Sequence, residues 1–180
     1  MSWKKLDSKV IYENPWMRVY EDRVINPGGG ENLYGWVHFR NLAIAIVPID
    51  DEGNTWLVGQ DRYTLGEYFW ELPMGGAPLD EAPLDAAKRE LKEETGLTAE
   101  RWSEIMKLHT SNSITDETAI VYIAEGLTEG EPEFEETEDL AIRKLPLAEA
   151  VQLVNDGEIT DAISVAAILR VASLRRASLR

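Results

Sequence analysis

The sequence predicts an α/β protein that opens with strands and then interleaves strands with helices. Three observations carry this. Residues 9–26, KVIYENPWMRVYEDRVIN, alternate apolar and polar side chains around Val10, Tyr12, Trp16, Val19 and Val24, the period of half-buried strands. Residues 42–49, LAIAIVPI, are a continuous apolar run of strand length. Leu84, Ala87 and Leu91 then recur at the spacing of one helix face.

Taken in order, residues 9–26 read as two short strands, PGGG at 27–30 as a turn, and NLYGWVHF at 32–39 as a third strand. The chain therefore starts with an antiparallel appendage, 1–41, followed by a main domain, 42–180. Strand 42–49 turns at DDEGN into TWLVGQDRY, 55–63, and the two are expected to pair as a hairpin. PMGGAP, 73–78, reads as loop. In the helix that follows, Pro83 suits the first turn and Gly96 the left-handed stop. EIMKLHT, 104–110, and AIVYIAEGL, 119–127, read as strands, TEGEPEFEETED, 128–139, as an acidic loop, and LAIRKLP as a last strand. LAEAVQLVNDG, 147–157, is an amphipathic helix ended by Gly157, and Asp161 caps a final helix reaching about Arg176.

Composition narrows the classes of function. With 180 residues, 44% of them hydrophobic, the chain can build one well-packed domain plus a small appendage. The net charge of −15 argues against nucleic-acid binding, which needs clustered Lys and Arg, but not against an anionic small molecule bridged by cations. No run approaches the roughly 18 apolar residues of a membrane span, and the first ten residues hold three lysines but no apolar signal region. The absence of cysteine excludes disulfides and thiolate metal sites and fits a cytoplasmic location.

RELKEETGL, 89–97, places Glu90, Glu93 and Glu94 within one helical turn. Such residues share a face, here expected to project away from the Leu84–Ala87–Leu91 stripe, and each exposed like-charge pair costs about 0.2–0.5 kcal/mol. A solvated charged face would bear that cost. A hard divalent cation among the carboxylates would remove it. The surroundings favour the cation. Gly75, Glu81, Arg89, Glu90, Leu91, Glu93, Glu94, Gly96 and Leu97 fit the pattern G-x5-E-x7-R-E-U-x-E-E-x-G-U, with U apolar. At background frequencies a chance match in such a chain is on the order of one in ten million.

On these residues the sequence resembles the Nudix hydrolases, most closely those that cleave ADP-ribose and nucleoside diphosphate sugars. The resemblance implies an α/β/α sandwich with a mixed sheet between the helix at 83–95 and the C-terminal helices. It implies Mg²⁺ or Mn²⁺ held mainly by Glu93 and Glu94 with Glu90 close behind. Arg89 would hold the helix by pairing with Glu81 and Glu93, and Gly75 and Gly76 would admit backbone close to metal and phosphate. QDRYTLGEYFWELPMGG, 60–76, resembles the segment before this motif in the same enzymes; there Arg62 would reach substrate phosphates and Glu71 would touch metal or substrate. In HTSNSITDE, 109–117, Glu117 would approach the metals, whereas Asn112 stands where ADP-ribose hydrolases carry a proline, which leaves room for GDP-mannose-like substrates. The acidic loop would supply the general base, Glu136, and a further metal ligand, Glu138. Tyr34 and Trp36, with His38, would stack on the base across a homodimer. His38 and His109, the only histidines, read as structural.

The expected activity is metal-dependent hydrolysis of a nucleoside diphosphate sugar, ADP-ribose included, to a nucleoside monophosphate and a sugar phosphate. Other substrates for the same chemistry are a dinucleoside polyphosphate, a capped RNA end or an oxidised nucleotide; the charge disfavours RNA. A non-catalytic sensor of nucleotide sugars is the reading from another class, and the retained glutamates argue against it.

Overall fold

In the computed structural model, residues 2–134 and 139–178 are described. The appendage is a three-stranded antiparallel sheet of β1 (Lys4–Glu13), β2 (Met17–Ile25) and β3 (Glu31–Phe39), in the order β1-β2-β3. Its first hairpin turns on Asn14, whose side-chain oxygen accepts the N–H groups of Trp16 and Met17 at 2.9 and 2.8 Å. This side-chain turn suits Asn followed by Pro.

β4 (Asn41–Ile49) is the spine of the main domain, and its neighbours come from far along the chain. It pairs antiparallel with β7 (Met74–Pro78) and parallel with β9 (Thr118–Thr128), which in turn carries β8 (Thr98–His109) on its other edge. β5 (Asn54–Arg62) lies in a second antiparallel sheet between β10 (Ala141–Pro146) and β6 (Glu67–Glu71). The hairpin expected from strands 42–49 and 55–63 is therefore absent as a ladder. The Asp50–Gly53 turn forms, but β4 and β5 diverge into different sheets. Two further corrections concern 67–78. PMGGAP contains a strand rather than only loop, and β6 was not anticipated.

Helix α1 (Pro83–Thr95) begins at Pro83 and ends at Gly96 in the left-handed conformation, φ 73°. α2 (Leu147–Asn155) and α3 (Ala162–Ser178) follow β10, and the Asp161 carboxylate accepts the Ser164 N–H as a helix cap. Alternate residues of β4 separate the two halves of the core. Ile44 and Ile46 pack with Ala86, Ala87 and Leu91 of α1. Ala45, Val47 and Ile49 pack with Ile163, Ala167, Ile168 and Val171 of α3. The result is a sandwich with a mixed sheet between helices, plus the N-terminal antiparallel sheet. No helix among the described residues is long and apolar enough to cross a membrane.

Candidate functional site

The glutamates of α1 are not on an exposed face. Glu90 is 8% and Glu94 2% exposed, and both flank the apolar stripe where α1 meets β7. Local geometry requires this. A helix face wide enough to seat Ala86, Ala87 and Leu91 includes residue 90, one turn after 86, and residue 94, two turns after 87. Glu94 Oε2 accepts the Met74 N–H at 2.8 Å. Gly75 lies so close to Glu90 that a Cβ there would fall 2.1 Å from the Glu90 carboxyl carbon. A glycine in β7 is thus a condition for burying Glu90 at this spot.

Arg89 ties the group together. Its Nη1 donates to Glu90 Oε1 at 2.7 Å and Glu93 Oε2 at 3.0 Å; its Nη2 donates to Glu81 Oε2 and to the Gly76 carbonyl, both at 3.0 Å. Hydrogen bonding to Glu81 first, and then to Glu90 and Glu93 against the opposing effect of burial, holds its pKa well above the ordinary arginine value.

Two cavities meet at Gly75 and Gly76. One, of about 670 Å³, is lined by Glu81, Arg89, Glu90 and Glu93 together with Trp16, Arg40 and Asn41. The other, of about 480 Å³, is lined by Arg62, Thr110, Glu117 and Asp161 and shares Trp16 and Asn41. Arg62 and Glu117 are thus brought to the groove that contains the α1 carboxylates. Glu117 Oε2 accepts the Thr110 hydroxyl at 2.5 Å. Glu71 is 4% exposed and is engaged by Arg62, whose Nε lies 3.0 and 3.1 Å from its two oxygens and whose Nη2 also donates to it. Glu71 raises the Arg62 pKa most, burial opposes this, and Asp161 and Glu94 add to it.

Tyr34 and Trp36 lie elsewhere in this chain. They line a separate cavity of about 370 Å³ between the N-terminal sheet and residues 112–116. Trp36 stacks on Tyr20 at 4.7 Å and donates to Asp22 at 3.0 Å, and Tyr34 donates to the Ser113 carbonyl. His38 Nδ1 sits 2.6 Å from Asp116 Oδ2, which docks the sheet onto the 110–117 segment. Glu136 and Glu138 lie outside the described residues. No sequence pattern marks Arg40, Asn41 or Asp161 as groove residues. Trp16 carried a legible signal, an aromatic directly after an Asn-Pro turn.

Divalent cations prefer carboxylate oxygens, and the residues fit such a group. Three carboxylates, Glu81, Glu90 and Glu93, gather around the one guanidinium of Arg89, Glu94 lies one turn further along α1 on the Met74 N–H, and the glycine at 75 leaves room for the Glu90 carboxylate. Among the described residues no three carboxylate or imidazole groups converge on one point as they stand, since Arg89 and the Met74 N–H hold the α1 carboxylates.

Comparison with known proteins decides the family. The NUDIX domain model matches residues 39–166. The chain belongs to the Nudix family. A second model, the nucleoside diphosphate sugar hydrolase N-terminal domain, matches residues 3–37. An ADP-ribose pyrophosphatase of Mycobacterium tuberculosis is 39% identical to this Nudix protein over 173 residues, covering 94% of this chain and 83% of that protein. An ADP-ribose pyrophosphatase of Bacillus subtilis is 36% identical over 128 residues, 70% of this chain and 69% of that one. The crystal structure of an ADP compounds hydrolase superposes with a TM-score of 0.87 over 99% of this chain and 96% of that chain; at 24% identity this is a likeness of fold. As a member of this family the protein is a pyrophosphohydrolase, and Nudix hydrolases depend on divalent metals.

Proposed function

We propose that the protein hydrolyses the diphosphate bond of nucleoside diphosphate sugars of the ADP-ribose type, releasing a nucleoside monophosphate and a sugar phosphate. The observation that carries this reading is the burial of Glu90 and Glu94 against the glycines of β7, at the meeting point of two cavities large enough for the two halves of such a substrate. The relatives named above, which are ADP-ribose pyrophosphatases, support the substrate class.

Glu93 and Glu94, with Glu90, would hold Mg²⁺ or Mn²⁺ beside Gly75. The ion, when bound, neutralises phosphate charge and lowers the pKa of an attacking water. The chain's own residues do the rest. Arg89 fixes the carboxylates on the helix, so that they are preorganised. Arg62, oriented by buried Glu71, presents its remaining N–H groups to phosphate oxygens. Glu71 thus works on Arg62 rather than on a metal. Trp16, at the lip shared by both cavities, is a surface on which a base can stack. Glu136 would take the proton of the water, Glu138 would add a metal ligand and Glu117 would approach the metals; the first two enter from the sequence alone. A homodimer, in which Tyr34 and Trp36 reach the partner's groove, and a cytoplasmic location in keeping with the cysteine-free chain complete the proposal.

The test is incubation with Mg²⁺ and ADP-ribose or GDP-mannose, with the products identified. Released AMP or GMP with the matching sugar phosphate is expected. Glu94→Gln should reduce turnover to background while the protein melts as wild type, because the amide oxygen still accepts the Met74 N–H. Wild-type activity in that variant would remove Glu94 from the metal site, and tight binding without turnover by the wild type would make the protein a sensor.

A further inference from the structure

We propose that Arg40 is the residue that binds the substrate's diphosphate from the Trp16 side of the groove. This deepens the function proposed above and rests on it for the identity of the substrate.

Three arginines line the two cavities, and their surroundings differ. Arg89 is held by Glu81, Glu90, Glu93 and the Gly76 carbonyl. Arg62 gives Nε and Nη2 to Glu71, so a buried carboxylate offsets its charge. Among the described residues Arg40 has no such partner. Its guanidinium makes one hydrogen bond among the described residues, from Nη1 to the Asn14 carbonyl at 3.0 Å, and no described carboxylate lies within ion-pair distance. An arginine carries five N–H donors, so four remain, on a charge that a neutral carbonyl does not offset.

Arg40 is also held in place. Its backbone N–H donates to the Trp16 carbonyl at 2.9 Å, and the Asn14 carbonyl that holds its side chain belongs to the turn built by the Asn14 side chain. The turn before β2 and the junction of β3 with β4 thus present one half-buried guanidinium to the cavity that contains Glu81, Glu90 and Glu93. A groove of glutamates repels a diphosphate. Cations held by the α1 carboxylates would reverse this on one side, and Arg40 adds positive charge beside Asn41 and Pro15. Its planar fork matches two phosphate oxygens at once, and its fixed position reduces the ordering cost of binding.

The experiment compares wild type, Arg40→Met and Arg40→Lys. Two quantities are measured: kcat and KM on ADP-ribose with Mg²⁺, and binding of inorganic pyrophosphate with Mg²⁺ by calorimetry. In Arg40→Met, KM should rise and pyrophosphate affinity fall by about ten- to a hundredfold, the range of a charge-assisted hydrogen bond, with a smaller change in kcat. Arg40→Lys should recover part of both. Melting temperature separates the alternative role. A lower melting temperature in Arg40→Met with KM and pyrophosphate affinity unchanged would confine Arg40 to bracing the turn and overturn the proposal, as would a wild type that binds no pyrophosphate. Arg40-dependent pyrophosphate binding in a protein that cleaves no nucleoside diphosphate sugar would support the role of Arg40 while removing the substrate assignment.

Discussion

Asp50 shows how one carboxylate can fix a turn and leave a mark on the stability curve. Burial raises its pKa, but hydrogen bonds from Asn54 and Lys144 outweigh this and bring it down from 3.8 to about 2. Asp50 Oδ1 accepts the backbone N–H groups of Glu52 and Asn54, and Lys144 of β10 lies 2.9 Å from Oδ2 while also covering the Trp56 ring at 4.7 Å. A carboxyl whose folded pKa is depressed stabilises the fold above its unfolded pKa and loses that contribution as the pH falls through the folded one. Stability should therefore decline from pH 3.8 to about 2 by the share of this residue. Acid titration followed by circular dichroism checks this: Asp50→Asn should be less stable at pH 7 and show a shallower loss over that window, whereas a parallel curve would exclude Asp50 as a source of it. At this scale the sequence was legible where chemistry is local. The pattern around Glu90, Glu93 and Glu94 pointed to the right turn of the right helix. Their burial was not legible, because which side of α1 faces β7 depends on a strand that the glycines at 75 and 76 disguised as loop.

Elements were readable where their ends carry their own signals. Pro83 and Gly96 bounded α1 correctly, since a proline suits the first turn and the stop requires positive φ. β4 and β5 misled because each pairs with distant strands: β4 with β7 and β9, β5 with β10 and β6. A short turn between two apolar runs cannot reveal that. Gly96 has a second duty invisible in sequence. Residues 129–134 cross the end of α1, and a Cβ at 96 would lie 2.3 Å from the Gly130 carbonyl oxygen. The Glu133 N–H donates to the Glu93 carbonyl at 2.9 Å, and Lys92 Nζ meets Glu133 Oε1 at 2.6 Å. This strap satisfies a carbonyl that the helix end leaves without an internal partner, in the turn that holds Glu93 and Glu94. Gly96→Ala should therefore cost more than the roughly 1 kcal/mol of left-handed strain alone, because the strap must also move. Chemical denaturation measures it; a cost at or below that strain would show that the strap yields freely.

For the whole molecule, the N-terminal sheet leaves its edge strand β1 uncovered in this chain. All ten residues of β1 are exposed, and Leu6, Val10, Ile11 and Tyr12 are each 42–52% accessible. β1 is also a sheet edge, with unpaired backbone groups along one side. Proteins that expose this much apolar strand generally cover it by association. The dimer proposed above is the cover that also helps the site, because Tyr34 and Trp36 do not line the glutamate groove of their own chain. Light scattering should give twice the 20.3 kDa of the chain. Ile11→Asp places a charge among the exposed apolar residues Val10, Ile11 and Tyr12 of the strand and should shift the mass toward the monomer. If the partner's aromatics take part in binding, KM for ADP-ribose should rise along with dissociation and fall again at high protein concentration. A wild-type monomer at every concentration would require Tyr34 and Trp36 to serve only the cavity they line, and β1 would then have to be covered by something other than a second copy.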